Sequence, residues 1–338
     1  MALQSSGQIT FTNIRNEFGE STNSKLGSYR VSQNIGDMTN LPLDNGIPSS
    51  GQIKFSDFYG KKLNVVVHYP TDENRPDDAR IRYNNDTEVT VIGDLRDKPA
   101  DSSGTKVIIH VSSELGSAQG AREICALRTG AGWNSGTDLN IEIGYEAIVS
   151  GAGGNGGNGA TEGDNNHSGG TSGTSAIGLQ YQVNSISVQT GGIVQGGGGG
   201  GGGGSGDVEG EEDTTGGGGG GGAGIPAGGV GRYGGGGGST FNGGNGRNGG
   251  FEDGPGGGAI GGGGGGGGAT YGTPGSAGAY RGAGAGTAEN GGQGGAAPGF
   301  SRRYGGANGY SVTSVSGISI PTIVGTVYGD LGEETGVT

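Results

Sequence analysis

Glycine supplies 91 of the 338 residues, and much of it stands in unbroken runs at 196–204, 216–222, 234–238 and 261–268. Because glycine loses more conformational freedom on folding than any other residue, a chain built this way is held by dense backbone hydrogen bonding or is not held at all. Side-chain burial cannot substitute, since only 29% of the residues are hydrophobic. The runs are discrete. Between them lie an acidic stretch (205–215), a stretch with Ile225-Pro226 (223–233), one with Phe241 and Phe251 (239–255), and one with Tyr271 and Tyr280 from 269 onward. Flexible linkers are usually monotonous Gly/Ser mixtures, whereas these runs punctuate segments of distinct character. A glycine run can take the polyproline II conformation at about 3.1 Å per residue, so runs of five to nine residues make rods of roughly 15 to 28 Å. Packed side by side, such rods satisfy one another's N–H and C=O groups, because glycine alone permits the approach. The expectation is a packed polyglycine II lattice with display loops at its ends. The competing expectation is a flexible tail, since each ordered residue costs about 1–2 kcal/mol of backbone entropy.

The sequence on both sides of the glycine runs reads as strand. Short stretches rich in Val, Ile, Thr and Tyr occur at 64–69, 87–93, 105–112, 123–129, 139–149, 176–182 and 185–189. Leu139-Asn140-Ile141-Glu142-Ile143 alternates cleanly and predicts one buried and one exposed face. Trp133, the single tryptophan, is expected in this core. Strand-like residues 146–150 run directly into glycine, as do 191–195, and 310–321 and 323–328 are strand-like again. The glycine region is therefore expected to be an excursion whose ends return to one β framework. The fold class is all-β with a glycine-rich polyproline II region. Four segments follow: a repeat module (1–62), a β-sandwich or β-solenoid middle (63–195), the glycine-rich domain (196–309) and C-terminal strands (310–338).

The first segment contains an internal repeat. Ser5-Ser6-Gly7-Gln8-Ile9-Thr10-Phe11-Thr12-Asn13-Ile14 returns 44 residues later as Ser49-Ser50-Gly51-Gln52-Ile53-Lys54-Phe55-Ser56-Asp57-Phe58. Each copy reads as an extended piece and then a brief helix, with Thr12 or Asn13 and Ser56 or Asp57 as N-caps and Gly19 and Gly60 as stops. Helices of about one turn do not stand alone, so the units are expected to pack on each other or on a partner. The docking candidates are Ile9, Phe11, Ile14, Ile53, Phe55 and Phe58. Residues 41–48 read as an extended segment with a turn.

Several functions are disfavoured. A net charge of −13 opposes nucleic-acid binding, which needs clustered Lys and Arg. Cys125 is the single cysteine, so no intramolecular disulfide forms, and His68, His110 and His167 show no metal-site spacing. The acidic group Asp207, Glu209, Glu211, Glu212 and Asp213 does not match a calcium-loop spacing and reads as a solvated loop rather than a metal site. Glycine-rich fingerprints for dinucleotides require a following helix that the pattern lacks, and no Gly-Lys-Ser or Gly-Lys-Thr is present. No nucleophile signature accompanies the histidines. The expectation is a non-enzyme without cofactor or metal; an enzyme acting on surface polysaccharide through carboxylates that the fold pairs is the rival from another class. No basic region followed by an apolar run opens the sequence, and no apolar run approaches the roughly 20 residues of a membrane span. A virus particle released by lysis is compatible with both.

The unit S-G-Q-I-x-F-[ST]-[DN]-[IF] resembles a motif near the N-termini of tailed-phage virion proteins, especially those of cyanophages and other marine phages. The arrangement over roughly 191–309 is similar to glycine-rich domains of phage tail-tip proteins and to the long-tail-fibre adhesins of T-even-like Salmonella phages. The N-terminal repeat is not part of that adhesin pattern. The resemblance implies a sandwich of polyproline II helices whose distal loops touch a receptor. Tyr233, Phe241, Phe251, Tyr271, Tyr280, Phe300 and Tyr304 lie beside glycine runs and are the receptor-contact candidates, since rings give large contact area at low entropy cost; alternatively they seal the lattice. The leading expectation is a tail-fibre or tail-tip protein of the virion. Its partners would be other tail or baseplate proteins and a bacterial surface receptor, a glycan or an outer-membrane protein. It would be present as a homo-oligomer or in several copies. The alternative is a purely architectural virion protein, a capsid, neck or baseplate decoration without receptor binding.

Overall fold

The computed structural model describes residues 3–18, 25–29, 47–48, 50–61, 64–69, 81–82, 90–91, 102–159, 168–203, 224–226, 306–334 and 336–337. The strands are β1 (Asn64–Tyr69), β2 (Ile81–Arg82), β3 (Thr90–Val91), β4 (Lys106–Val111), β5 (Glu114–Leu115), β6 (Cys125–Arg128), β7 (Asp138–Ile143), β8 (Ile148–Ser150), β9 (Ser175–Leu179), β10 (Val183–Val188), β11 (Ile193–Gln195), β12 (Val312–Ser314), β13 (Ile323–Val324), β14 (Val327–Tyr328) and β15 (Leu331–Glu333). Every pairing among these strands is parallel. They form three sheets, ordered β13-β10-β7-β4-β1-β2, β14-β11-β8-β5 and β15-β12-β9-β6-β3. From β4 onward the chain visits the first, second and third sheet in turn, four times over. This is a three-sided parallel β-solenoid, which decides between the sandwich and the solenoid.

Coils stack in register, so like residues fall above one another along the axis. In the first sheet Ile109, Ile141, Ile186 and Ile323 form one row. In the second the row is Leu115, Val149, Val194 and Val327. In the third it is Leu127, Ile177, Val312 and Leu331. The first three members of every row are buried, and these three rows line the interior. Each aliphatic side chain so buried is worth about 1.5–3 kcal/mol. Trp133 is also buried, its indole N–H donating to the Thr129 carbonyl at 2.8 Å.

One expected strand divides and one strand appears that was not expected, each for a physical reason. The stretch 139–149 divides into β7 and β8 because the chain turns a solenoid corner at 144–147, where Glu146 takes a left-handed φ of 55°. Residues 114–115, too short to show a periodic pattern, still form β5 by pairing with β8.

The two copies of the N-terminal repeat start alike and then differ in helix type and length. The copies become helix α1 (Phe11–Phe18) and a 3-10 helix (Phe55–Phe58). Gly7 and Gly51, equivalent in the repeat, both take positive φ, 93° and 74°. The caps stand earlier than expected: the Thr10 N–H donates to Asn13 Oδ1 at 2.9 Å, and the Lys54 N–H donates to Asp57 Oδ2 at 2.7 Å. The Asn and Asp side chains act from the third helical position, reaching back as a capping-box residue does. Gly60, with φ 65°, follows the second turn, whereas Gly19 and residues 41–46 lie outside the described residues.

Candidate functional site

Every coil passes from the second sheet to the third through the same corner, and the excursions leave there. Residues 116–124 join β5 to β6, 151–174 join β8 to β9, and 196–311 join β11 to β12, while only 329–330 join β14 to β15. Four legs of these excursions are described: 151–159 and 196–203 leave the corner, and 168–174 and 306–309 return to it.

The legs bond to one another at a step of three residues. Gly151, Gly154 and Gly157 donate their N–H groups to the carbonyls of Gln195, Gly198 and Gly201 at 2.9, 2.8 and 2.7 Å. Gly197, Gly200 and Gly203 donate to Thr174, Thr171 and Ser168 at 2.8, 2.9 and 2.9 Å. Thr174, Thr171 and Ser168 in turn donate to Ala152, Asn155 and Asn158 at 3.0, 2.9 and 3.0 Å. Gly306 and Gly309 donate to Gly200 and Gly197 at 2.8 and 2.7 Å. The same bonded set thus takes in the legs 151–159 and 168–174 as well as 196–203 and 306–309. At its base, Ile225 donates to the Gly151 carbonyl at 2.9 Å and Ser117 donates to the Ile225 carbonyl at 3.1 Å, so the long connection touches the corner midway.

Glycine is obligatory at this step because of how close the backbones run. A β-carbon on Gly151, Gly154 or Gly157 would stand 1.9, 2.0 or 2.1 Å from the carbonyl oxygen of Thr174, Thr171 or Ser168. On Gly197, Gly200 or Gly203 it would stand 1.9, 2.1 or 1.9 Å from the oxygen of Ala152, Asn155 or Asn158. The remaining positions carry a second ladder, made by side chains. The N–H groups of Ala152, Asn155 and Asn158 donate to Thr174 Oγ1, Thr171 Oγ1 and Ser168 Oγ at 2.7, 2.7 and 2.8 Å. Hydroxyls therefore stand in for carbonyls where the neighbouring backbone offers none. This ladder was not anticipated, although its signal is printed in Gly151-Ala152-Gly153-Gly154-Asn155-Gly156-Gly157-Asn158, with a side chain at every third place.

The expected contact residues fall in different places. Tyr233, Phe241, Phe251, Tyr271, Tyr280, Phe300 and Tyr304 all lie outside the described residues, as does the acidic group 207–213. Of the six docking candidates, Ile9, Ile14 and Phe58 are buried within the fold. Phe11 and Phe55, equivalent in the repeat, meet edge to face with ring centroids 5.2 Å apart, and Phe55 stays 38% exposed. Ile53 is half-buried. His68 and His110, 42 positions apart in sequence, are register partners on adjacent strands, and His167 lies outside the described residues. Among the described residues no group of three or more His, Cys, Asp or Glu is gathered as a metal ion would need.

No family model matches this chain, and no curated protein matches it in sequence. Among solved structures it is similar to the gp37-gp38 adhesin tip complex of the bacteriophage S16 long tail fibre, at 20% identity over 85% of this chain and 90% of that one, with a TM-score of 0.42.

Proposed function

We propose that this chain is a structural protein of a phage virion, a tail-fibre or tail-tip component whose solenoid holds packed polyproline II legs and whose loops beyond the legs contact a bacterial surface. The observation that carries this reading is the three-residue step of the bonds between legs. A polyproline II helix has three residues per turn and no internal hydrogen bonds, so its N–H groups are offered outward at that interval. Legs so joined form a stiff bundle, and stiffness reduces the ordering cost that a loop would otherwise meet on binding. The legs 151–159 and 168–174 run antiparallel, so 160–167 joins their outer ends; the aromatic-bearing sequence follows from the neighbouring leg, 196–203. The N-terminal repeat, by its resemblance to phage virion motifs, supplies attachment to other tail or baseplate proteins, with Phe55 exposed for it and Phe11 and Ile53 half-buried beside the core. The scaffold acts by binding and performs no catalysis.

Adsorption of the purified full-length chain to a panel of bacterial strains tests the reading. Saturable binding that falls at least tenfold in a Tyr271→Ala, Tyr280→Ala variant with an unchanged melting curve is expected. A folded chain that adsorbs to no strain overturns receptor contact and leaves a purely architectural role in the virion.

A further inference from the structure

The first sheet is the side of the solenoid opposite the corner where the glycine legs leave. On its outer face β4 contributes Ile108 and His110, both buried, whereas β7 and β10 contribute a more open polar surface: Asp138, Asn140, Glu142 and Ser185 are half-buried and Asn184 is exposed. These side chains are tied to one another. Asn140 Nδ2 and Asn184 Nδ2 both donate to Asp138 Oδ1, at 2.9 and 2.6 Å, and the Ser185 hydroxyl donates to Asn140 Oδ1 at 2.7 Å. Gln189 Nε2 donates to Glu142 Oε1. Among the described residues no hydrogen bond reaches Asp138 Oδ2 or Glu142 Oε2, so each carboxylate is held by one oxygen and offers the other. At the corner that follows β7, Tyr145 stands 54% exposed.

We propose that this face binds a neutral glycan, whose hydroxyls meet Asp138, Asn184 and Glu142 while a sugar ring lies against Tyr145. The chemistry selects the ligand. Sugar hydroxyls both donate and accept, which suits carboxylates interleaved with amides, and side chains already held in place lower the ordering cost of binding. An anionic polysaccharide would set its acids against Asp138 and Glu142. A protein partner would bury an apolar centre, and β7 and β10 present no apolar side chain outward. Spacing favours binding over cleavage. Asp138 and Glu142 stand four residues apart on one strand, about 13 Å, beyond the roughly 5 to 9.5 Å of a hydrolytic carboxylate pair. The face is built from residues separate from the glycine legs, so it holds or fails independently of receptor contact by the loops.

Titration calorimetry on the full chain tests it, with α- and β-linked hexasaccharides of glucose, mannose and galactose as neutral probes and hexagalacturonate as the anionic one. Saturable binding of at least one neutral probe is expected, with none of hexagalacturonate. Tyr145→Ala and Asn184→Ala, both at exposed positions, should each weaken that binding at least fivefold with an unchanged melting curve, while Tyr145→Phe, which keeps the ring, and the Tyr271→Ala, Tyr280→Ala variant should bind as the parent does. The proposal is overturned if no neutral probe binds, if hexagalacturonate binds more tightly, or if affinity is unchanged in both the Tyr145→Ala and Asn184→Ala variants. Loss confined to the Tyr271→Ala, Tyr280→Ala variant also overturns it, and places the glycan on the loops instead.

Discussion

The N–H of Gly200 donates to the carbonyl of Thr171 at 2.9 Å, while the place where its β-carbon would stand is 2.1 Å from the carbonyl oxygen of Asn155. One residue thus closes a hydrogen bond on one side and a backbone contact on the other, and only glycine does both. Gly200→Ala is expected to push two legs apart, costing about 3 kcal/mol and lowering the melting temperature by roughly 4 °C. Gly317→Ala serves as the comparison. That glycine has positive φ but nothing near its β-carbon position, so its cost is limited to backbone strain of about 1 kcal/mol. Thermal unfolding of the two variants side by side checks the order, and equal melting temperatures would refute the packing account.

Thr174 joins the same network through its side chain. Its Oγ1 accepts from the Ala152 N–H at 2.7 Å and pairs with the hydroxyl of Ser117, and all three groups are buried. Thr174→Val preserves shape but strands buried polar groups, at a cost of about 1–3 kcal/mol. Thr174→Ser restores the hydroxyl and should recover most of that loss. Denaturant titration of both variants distinguishes a hydrogen-bonding role from simple packing, which would make Ser the worse replacement.

The strands were legible because Val and Ile recur with an alternating pattern, as Leu139, Ile141 and Ile143 do, and burial follows that alternation in β7. Their parallel pairing was not legible. Alternation states which face is buried but not which strand lies alongside, and Ile109, Ile141, Ile186 and Ile323 become one row only through register set by the coils. Strands of two residues, such as β13, carry no period at all and exist because a neighbour templates them. The legs were legible as glycine. What abundance concealed was the three-residue phase, since Gly154 and Gly156 look alike in sequence although a β-carbon on Gly154 would meet the Thr171 carbonyl oxygen at 2.0 Å.

Glu146 and Gly191 occupy the same corner one coil apart, with φ of 55° and 76°. A left-handed conformation costs a residue with a β-carbon about 1–2 kcal/mol, and glycine avoids that cost. Glu146→Gly should therefore stabilise the chain by roughly 0.5–1 kcal/mol after the entropy of the unfolded glycine is set against the gain. A raised denaturation midpoint with an unchanged slope is the expected result. A lowered midpoint would mean that the Glu146 side chain contributes more than its backbone loses.

Cys125 lies fully buried in β6, and burial, which Arg128 opposes and Glu123 and Glu334 reinforce, pushes its thiol from 9.0 up to about 12. The folded chain therefore favours the protonated thiol more than the unfolded chain does. By linkage, that preference contributes fully to stability below about pH 9 and is lost as pH rises from there towards 12. Two outcomes follow from the same burial. At pH 8 a thiol-reactive disulfide reagent should label the native chain only as fast as it opens, and label it within the mixing time in denaturant, because the thiolate is the nucleophile. Between pH 9 and 12, Cys125→Ala should lose less stability than the parent chain loses over the same range. Rapid native labelling at pH 8, or parallel stability curves for parent and variant, would show that the thiol reaches solvent in the folded chain.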